Sequence, residues 1–78
     1  MKSNPYLIGD LAVKTGIPTV TINYYLRIGL ISEISRSEFS NYRYFDDTTV
    51  RLLMNIRKLR LDHISLKEIK KRIHDGIL

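Results

Sequence analysis

Cysteine is absent from this chain of 78 residues. Without thiols there is no disulfide framework and no thiolate metal site, a usage that fits a reducing compartment such as the cytoplasm. The two histidines, His63 and His74, have no further ligands at metal spacing, so no metal or cofactor is expected. No apolar run approaches the roughly 20 residues of a membrane span. The opening Met1-Lys2-Ser3-Asn4-Pro5 is polar and reads as a loose start, without the apolar segment of a signal peptide. Paired carboxylates in a cleft, a glycine-rich phosphate loop and a nucleophile–base pair are all missing. Asp62, His63 and Ser65 contain the residue types of a hydrolytic triad, but as neighbouring turn residues at a helix start they are better explained by capping. The pattern is not that of an enzyme. Internal repeats and low-complexity segments are lacking too.

What is there in quantity is positive charge. Thirteen Lys and Arg stand against eight Asp and Glu, a formal net charge of +5. On a small domain this balance favours an anionic partner, nucleic acid first and a membrane surface second. A chain of this length forms one domain, residues 1–78, with room for one small core and no enclosed substrate cavity.

The few glycines and prolines divide the chain. Ile8, Leu11 and Ala12 make an i, i+3, i+4 stripe in a short first helix over Ile8–Lys14, with Asp10 in the first turn, where a carboxylate suits the helix dipole. Tyr6-Leu7 before it forms a short strand or simply packs. Gly16 supplies a left-handed residue that ends this helix, and Pro18 or Thr19 starts the second. There Ile22, Tyr25, Leu26 and Ile28 form an apolar face. Val20, Asn23, Tyr24 and Arg27 lie on another. Gly29 ends the helix, and Leu30 and Ile31 return to the core. Two short helices joined by a glycine-containing turn are a helix-turn-helix, which presents its second helix to the DNA major groove. An ordinary helical hairpin has the same outline.

Beyond Ile31 the helical period breaks. Serines, Glu33 and Asn41 mark turns, while Ile34 and Tyr42–Phe45 have strand character. The expected element is a hairpin pairing about Ser32–Arg36 with Tyr42–Phe45, its tip turning at Asn41 in the left-handed region. Arg36 and Arg43 make its edges basic, interleaved with Tyr42 and Tyr44, a mixture suited to phosphate oxygens. Asp46 or Asp47 caps a third helix, about Asp47–Leu61, with Val50, Leu53, Met54, Ile56 or Arg57, and Leu61 in the inward stripe, Leu52 and Leu59 flanking it, and Arg51, Arg57, Lys58 and Arg60 on the opposite side. Asp62-His63-Ile64 is a break. Ser65 and Glu68 have capping-box spacing for a fourth helix to about His74, with Leu66, Ile69 and Ile73 inward and Lys67, Lys70, Lys71 and Arg72 outward. That basic face is a weak candidate for a membrane surface, because the apolar side is needed for the core. Asp75-Gly76 stops the helix, and Ile73, Ile77 and Leu78 form an apolar end suited to a dimer or a protein partner. The whole is mostly α: a winged helix-turn-helix with a two-stranded β-hairpin wing and a second helix pair.

In that order, Ile8-Gly9-Asp10-Leu11-Ala12, Thr15-Gly16-Ile17, Thr21-Ile22-Asn23-Tyr24-Tyr25, Gly29-Leu30-Ile31, Asn41-Tyr42-Arg43-Tyr44-Phe45 and Ile64-Ser65-Leu66-Lys67-Glu68-Ile69 resemble the DNA-binding domain of the MerR family of bacterial transcription regulators. The similarity runs from about Tyr6 to Ile73. It implies a cytoplasmic, nucleoid-associated protein that binds a pseudo-palindromic promoter as a homodimer. The second helix, residues 18–29, enters the major groove of double-stranded DNA and two wings grip the backbone. It also implies RNA polymerase as a partner, since activators of the family distort an overlong promoter spacer. Some members also bind an antirepressor protein. Carried over by position, Tyr24 matches a phosphate-touching tyrosine, Arg43 the wing arginine and Tyr42 its neighbour. Thr21 and Ile22 match the start of the recognition pattern, with Ile22 in the core.

The departures matter. Asn23 stands where the family usually has arginine, Val20 where it often has a charged residue, and Leu26 replaces a common glutamate. Arg27 is then the one charged residue of the recognition helix. Base contacts fall to Thr19, Val20, Thr21 and Asn23. Asparagine can pair with adenine and valine can touch a thymine methyl, so an A·T-leaning half-site is expected. Affinity shifts to Arg36, Arg43, Arg57 and Arg60 on the wings. His63 replaces a glycine, which bears on the shape of the second wing; Asn41 replaces another, a mild change. The family's long dimerisation helix and effector domain are not within these residues. The alternatives are therefore a fragment of a longer regulator, a small excisionase-like architectural protein, or a module that docks a protein partner.

Overall fold

A computed structural model describes residues 5–78; most of the loose start expected at the N-terminus lies outside them. The element order is α1 (Ile8–Thr15), α2 (Thr19–Arg27), β1 (Ser35–Arg36), β2 (Arg43–Tyr44), α3 (Asp47–Leu61) and α4 (Leu66–His74). Helix α1 runs one residue further than its periodicity predicts. Asp10 secures its start by accepting a hydrogen bond from the Leu7 amide at 2.9 Å. Gly16 ends it at φ 74°, its amide donating to the Ala12 carbonyl. The buried Thr15 hydroxyl donates to Leu11 O at 2.7 Å and accepts from the Ile17 amide at 3.2 Å. One side chain thus satisfies backbone groups on both sides of the bend. Pro18 is the N-cap of α2 and Thr19 its first residue. Three residues, Gly16-Ile17-Pro18, separate the helices.

The hairpin is shorter than expected. Only Ser35↔Tyr44 and Arg36↔Arg43 pair in the ladder, extended by backbone bonds from Ile34 N to Tyr44 O and from Ser37 N to Tyr42 O. Phe45 leaves the ribbon to make an isolated antiparallel bridge with Tyr6, which is the strand character sensed at Tyr6. Asn41 adopts φ 61°, as its turn requires.

Asp46 is the N-cap of α3, its carboxylate accepting from the amide and the hydroxyl of Thr48. Asp47 instead accepts a hydrogen bond from the Tyr6 hydroxyl at 2.8 Å. Tyr6 is also covered by the Lys14 ammonium, 4.8 Å from the ring centre. Two residues expected inward on α3, Met54 and Leu61, are exposed. The buried face of this helix is Thr49, Leu53 and Ile56, and at about 100° per residue Met54 and Leu61 fall more than about 90° around the helix from it. Half of the predicted capping box forms at α4: Ser65 Oγ accepts from the Glu68 amide, but the Glu68 carboxylate turns to Arg72 at 3.0 Å.

The core is one cluster. Leu11 from α1, Ile22 and Tyr25 from α2, Phe45 after the hairpin, Leu53 and Ile56 from α3, and Ile69 from α4 meet around Ile17, Leu30 and Ile31. Every helix contributes its apolar face, which fixes the angle at which α2 projects its other face.

Candidate nucleic-acid interface

Helix α2 is divided cleanly. Ile22 is fully buried and Tyr25 nearly so, whereas Val20 is 71% exposed and Thr19, Asn23, Tyr24 and Arg27 are exposed on the remaining sides. Thr21 is half-buried, which limits its reach compared with its neighbours. The helix C-terminus is held from outside the motif. Lys70 on α4 donates from Nζ to the Ile28 carbonyl at 2.8 Å, placing a cation where the helix dipole favours one. Lys70 was expected only as an outward charge. At the same end the Arg27 guanidinium lies over the Tyr24 ring, 5.8 Å from its centre, so these two candidate residues form a unit.

The hairpin comes alongside. Thr19, Val20, Asn23, Leu26 and Arg27 of α2 and Arg43 of β2 line one open groove of about 580 Å³. Asn23 and Arg43 also line a second groove of about 420 Å³, with Asn41, Tyr42 and the start of α1. Asn23 thus sits at the junction of helix and hairpin, lining both grooves together with Arg43.

Charge in the hairpin is arranged differently from the expectation of a freely basic ribbon. Arg36 and Arg43 are direct partners across the ladder, a placement that sets like charges opposite each other. Glu33 lies between them: its Oε2 is 2.9 Å from Arg36 Nη2 and its Oε1 is 3.5 Å from Arg43 Nε. A hydrogen bond from its own backbone amide holds the Glu33 carboxyl below the usual glutamate value. Burial opposes that shift, and the charges of Arg36 and Arg43 reinforce it. From Ser32 to Phe45 the two arginines are matched by Glu33 and Glu38, so the segment is formally neutral. Glu33 was read only as a turn residue, because its pairing depends on the strand register.

Arg57 and Arg60 stand exposed on α3, outside both of these grooves. Arg60 Nη1 donates to the Ile64 carbonyl at 2.8 Å and so braces the turn between α3 and α4. His63 in that turn has φ 64°. The left-handed geometry that glycine usually provides is kept here by histidine, at some backbone strain. Among the described residues no three His, Asp or Glu side chains converge to hold a metal ion, and no helix is long and apolar enough to cross a membrane.

Residues 6–75 match the family described as MerR HTH family regulatory protein. The chain is 34% identical over 70 residues to the HTH-type transcriptional regulator CueR of Bacillus subtilis, covering 90% of this chain and 48% of that protein. It is 41% identical over 66 residues to the mercuric resistance operon regulatory protein of Bacillus cereus, covering 85% of this chain and 49% of that protein. A similar solved structure is HiNmlR, a MerR family regulator lacking the sensor domain, bound to promoter DNA. It superposes with a TM-score of 0.84 at 30% identity, over 95% of this chain and 55% of that one. The chain therefore spans about half the length of the curated relatives it matches.

Proposed function

This chain belongs to the MerR family of helix-turn-helix regulators, and from that membership we propose that it binds double-stranded promoter or operator DNA with α2 in the major groove and the hairpin on the adjoining backbone. The observation that carries this reading is the shared groove, which brings the outward side chains of α2 and the Arg43 guanidinium to one surface. Thr19, Val20 and Asn23 reach base edges, with Thr21 contributing from its half-buried position. Asn23 suits adenine and Val20 a thymine methyl. Tyr24 with Arg27, and Tyr42 with Arg36 and Arg43, donate to phosphates on either side. Arg57 and the brace residue Arg60 serve a second wing built on the α3–α4 turn.

Residues 1–78 form the DNA-binding unit of a regulator that works as a homodimer in the bacterial cytoplasm, on the nucleoid, with RNA polymerase and, for some targets, an antirepressor-type protein as partners. Binding rather than catalysis is its role. The test compares Asn23→Ala with Arg43→Ala on a panel of operator variants. Loss of the Arg43 contact weakens all sequences about equally, and loss of Asn23 relaxes preference at one or two base pairs, each worth about 1–3 kcal/mol. Uniform loss in both variants would remove Asn23 from the readers.

A further inference from the structure

We infer that Glu33 is a positioning residue for DNA binding: it holds the Arg43 guanidinium aimed into the groove that α2 lines. The inference rests on the DNA-binding reading above. Arg43 is the hairpin residue that lines the α2 groove. Glu33 does not border that groove. It lines a different one, with Leu30, Ile31, Ile34 and Leu52, so its carboxylate reaches Arg43 from behind. Its closest approach is to Nε, the inner edge of the guanidinium. Among the described residues Arg43 makes no other ion pair or side-chain hydrogen bond. A guanidinium has five N–H donors in a rigid plane. The Glu33 carboxylate, paired by charge with the Nε side at 3.5 Å, therefore biases the orientation of that plane and leaves the outer donors for a phosphate.

The same carboxylate grips Arg36 through its other oxygen, and Arg36 Nη1 reaches Asn41 Oδ1 at 3.5 Å. Two side chains that would repel across the ladder are thereby tied to one acceptor and to the turn. Ordering before contact is favourable, because less side-chain freedom is lost on binding. Acting against this, Glu33 places a negative charge near DNA. The two effects have opposite signs, and that separates them.

The experiment measures operator affinity for Glu33→Gln and Glu33→Ala, each alone and with Arg43→Ala. Glutamine and alanine remove the same charge, but only glutamine keeps an acceptor at the right reach. Positioning predicts that the alanine variant binds at least about twofold more weakly than the glutamine variant, the low end of coupling between contacting residues. The gap closes when Arg43 is replaced. Equal affinities for the two variants, or tighter binding by the alanine variant, would overturn the proposal and leave Glu33 a competitor of phosphate. Nitrogen relaxation of the Arg43 Nε–H, measured without DNA, gives a second reading. Order that persists with glutamate and glutamine and is lost with alanine supports the clamp, whereas a mobile Nε–H in the unmodified chain refutes it. An ordered Arg43 in a chain that binds no DNA would instead defeat the DNA-binding reading alone.

Discussion

Val20 and Ile22 are β-branched aliphatics two residues apart on one helix, and they should respond to truncation in opposite ways. Ile22 is fully buried, so Ile22→Ala removes core contacts and leaves a cavity, costing about 2–5 kcal/mol, whereas Ile22→Val costs about 0.5–1.5 kcal/mol. The whole domain is stable by only about 4–12 kcal/mol at ordinary per-residue values. The alanine variant therefore loses a large share of its stability, and its melting temperature falls by roughly 10 °C or more. Val20 is 71% exposed and has little packing to lose. Alanine is the better helix former by up to about 0.7 kcal/mol, so Val20→Ala leaves stability unchanged or slightly raised. Its effect belongs to DNA: preference for sites with a thymine methyl in reach should relax. Thermal and urea melts of the three variants, followed by binding to a small operator panel, separate the two faces. Equal destabilisation at positions 20 and 22 would show that α2 is not oriented as described.

Two further results bear on how α2 and the caps are held. Gly29 has φ 77°, and a Cβ there would meet only Lys70 Nζ at 3.7 Å, so Gly29→Ala should cost about 1–2 kcal/mol from backbone conformation alone. A urea melt checks it, and an unchanged midpoint would contradict it. Hydrogen bonds from Thr48, its hydroxyl first, hold the Asp46 carboxyl below the ordinary aspartate value of 3.8, with burial opposing. The folded value is the lower one, so this stabilisation is present above the unfolded value and is lost as pH falls through the folded value. An acid titration of stability should therefore show a shallower fall for Asp46→Asn than for the unmodified chain, and identical slopes would remove Asp46 from the acid response.

Much of the fold was legible because its signals are local. The glycine at 16, the proline at 18 and the asparagine at 41 each dictate a backbone conformation on their own, and the 3.6-residue stripes of α1 and α2 need no partner to be read. The order of these pieces also carried the family resemblance. Features that depend on tertiary neighbours escaped. Met54 and Leu61 were read into the stripe of α3, but the helix is apolar at so many positions that the neighbours packed on it decide which face is covered, and that face is Thr49, Leu53 and Ile56. Lys70 reaches Ile28 across 42 positions. Glu33 reads as a turn residue until the register places Arg36 opposite Arg43. The candidate interface was thus visible as a set of residue types, while the pairing of its charges emerged only in three dimensions.

The most direct measurement is the salt dependence of binding to double-stranded operator DNA. If α2 and the hairpin engage the duplex, the logarithm of the binding constant falls linearly with the logarithm of salt concentration, at about 0.9 per phosphate neutralised. Arg43→Ala should reduce that slope by about one contact. Binding that is flat in salt, or a slope that Arg43→Ala leaves unchanged, would contradict a DNA-binding surface built from α2 and this hairpin.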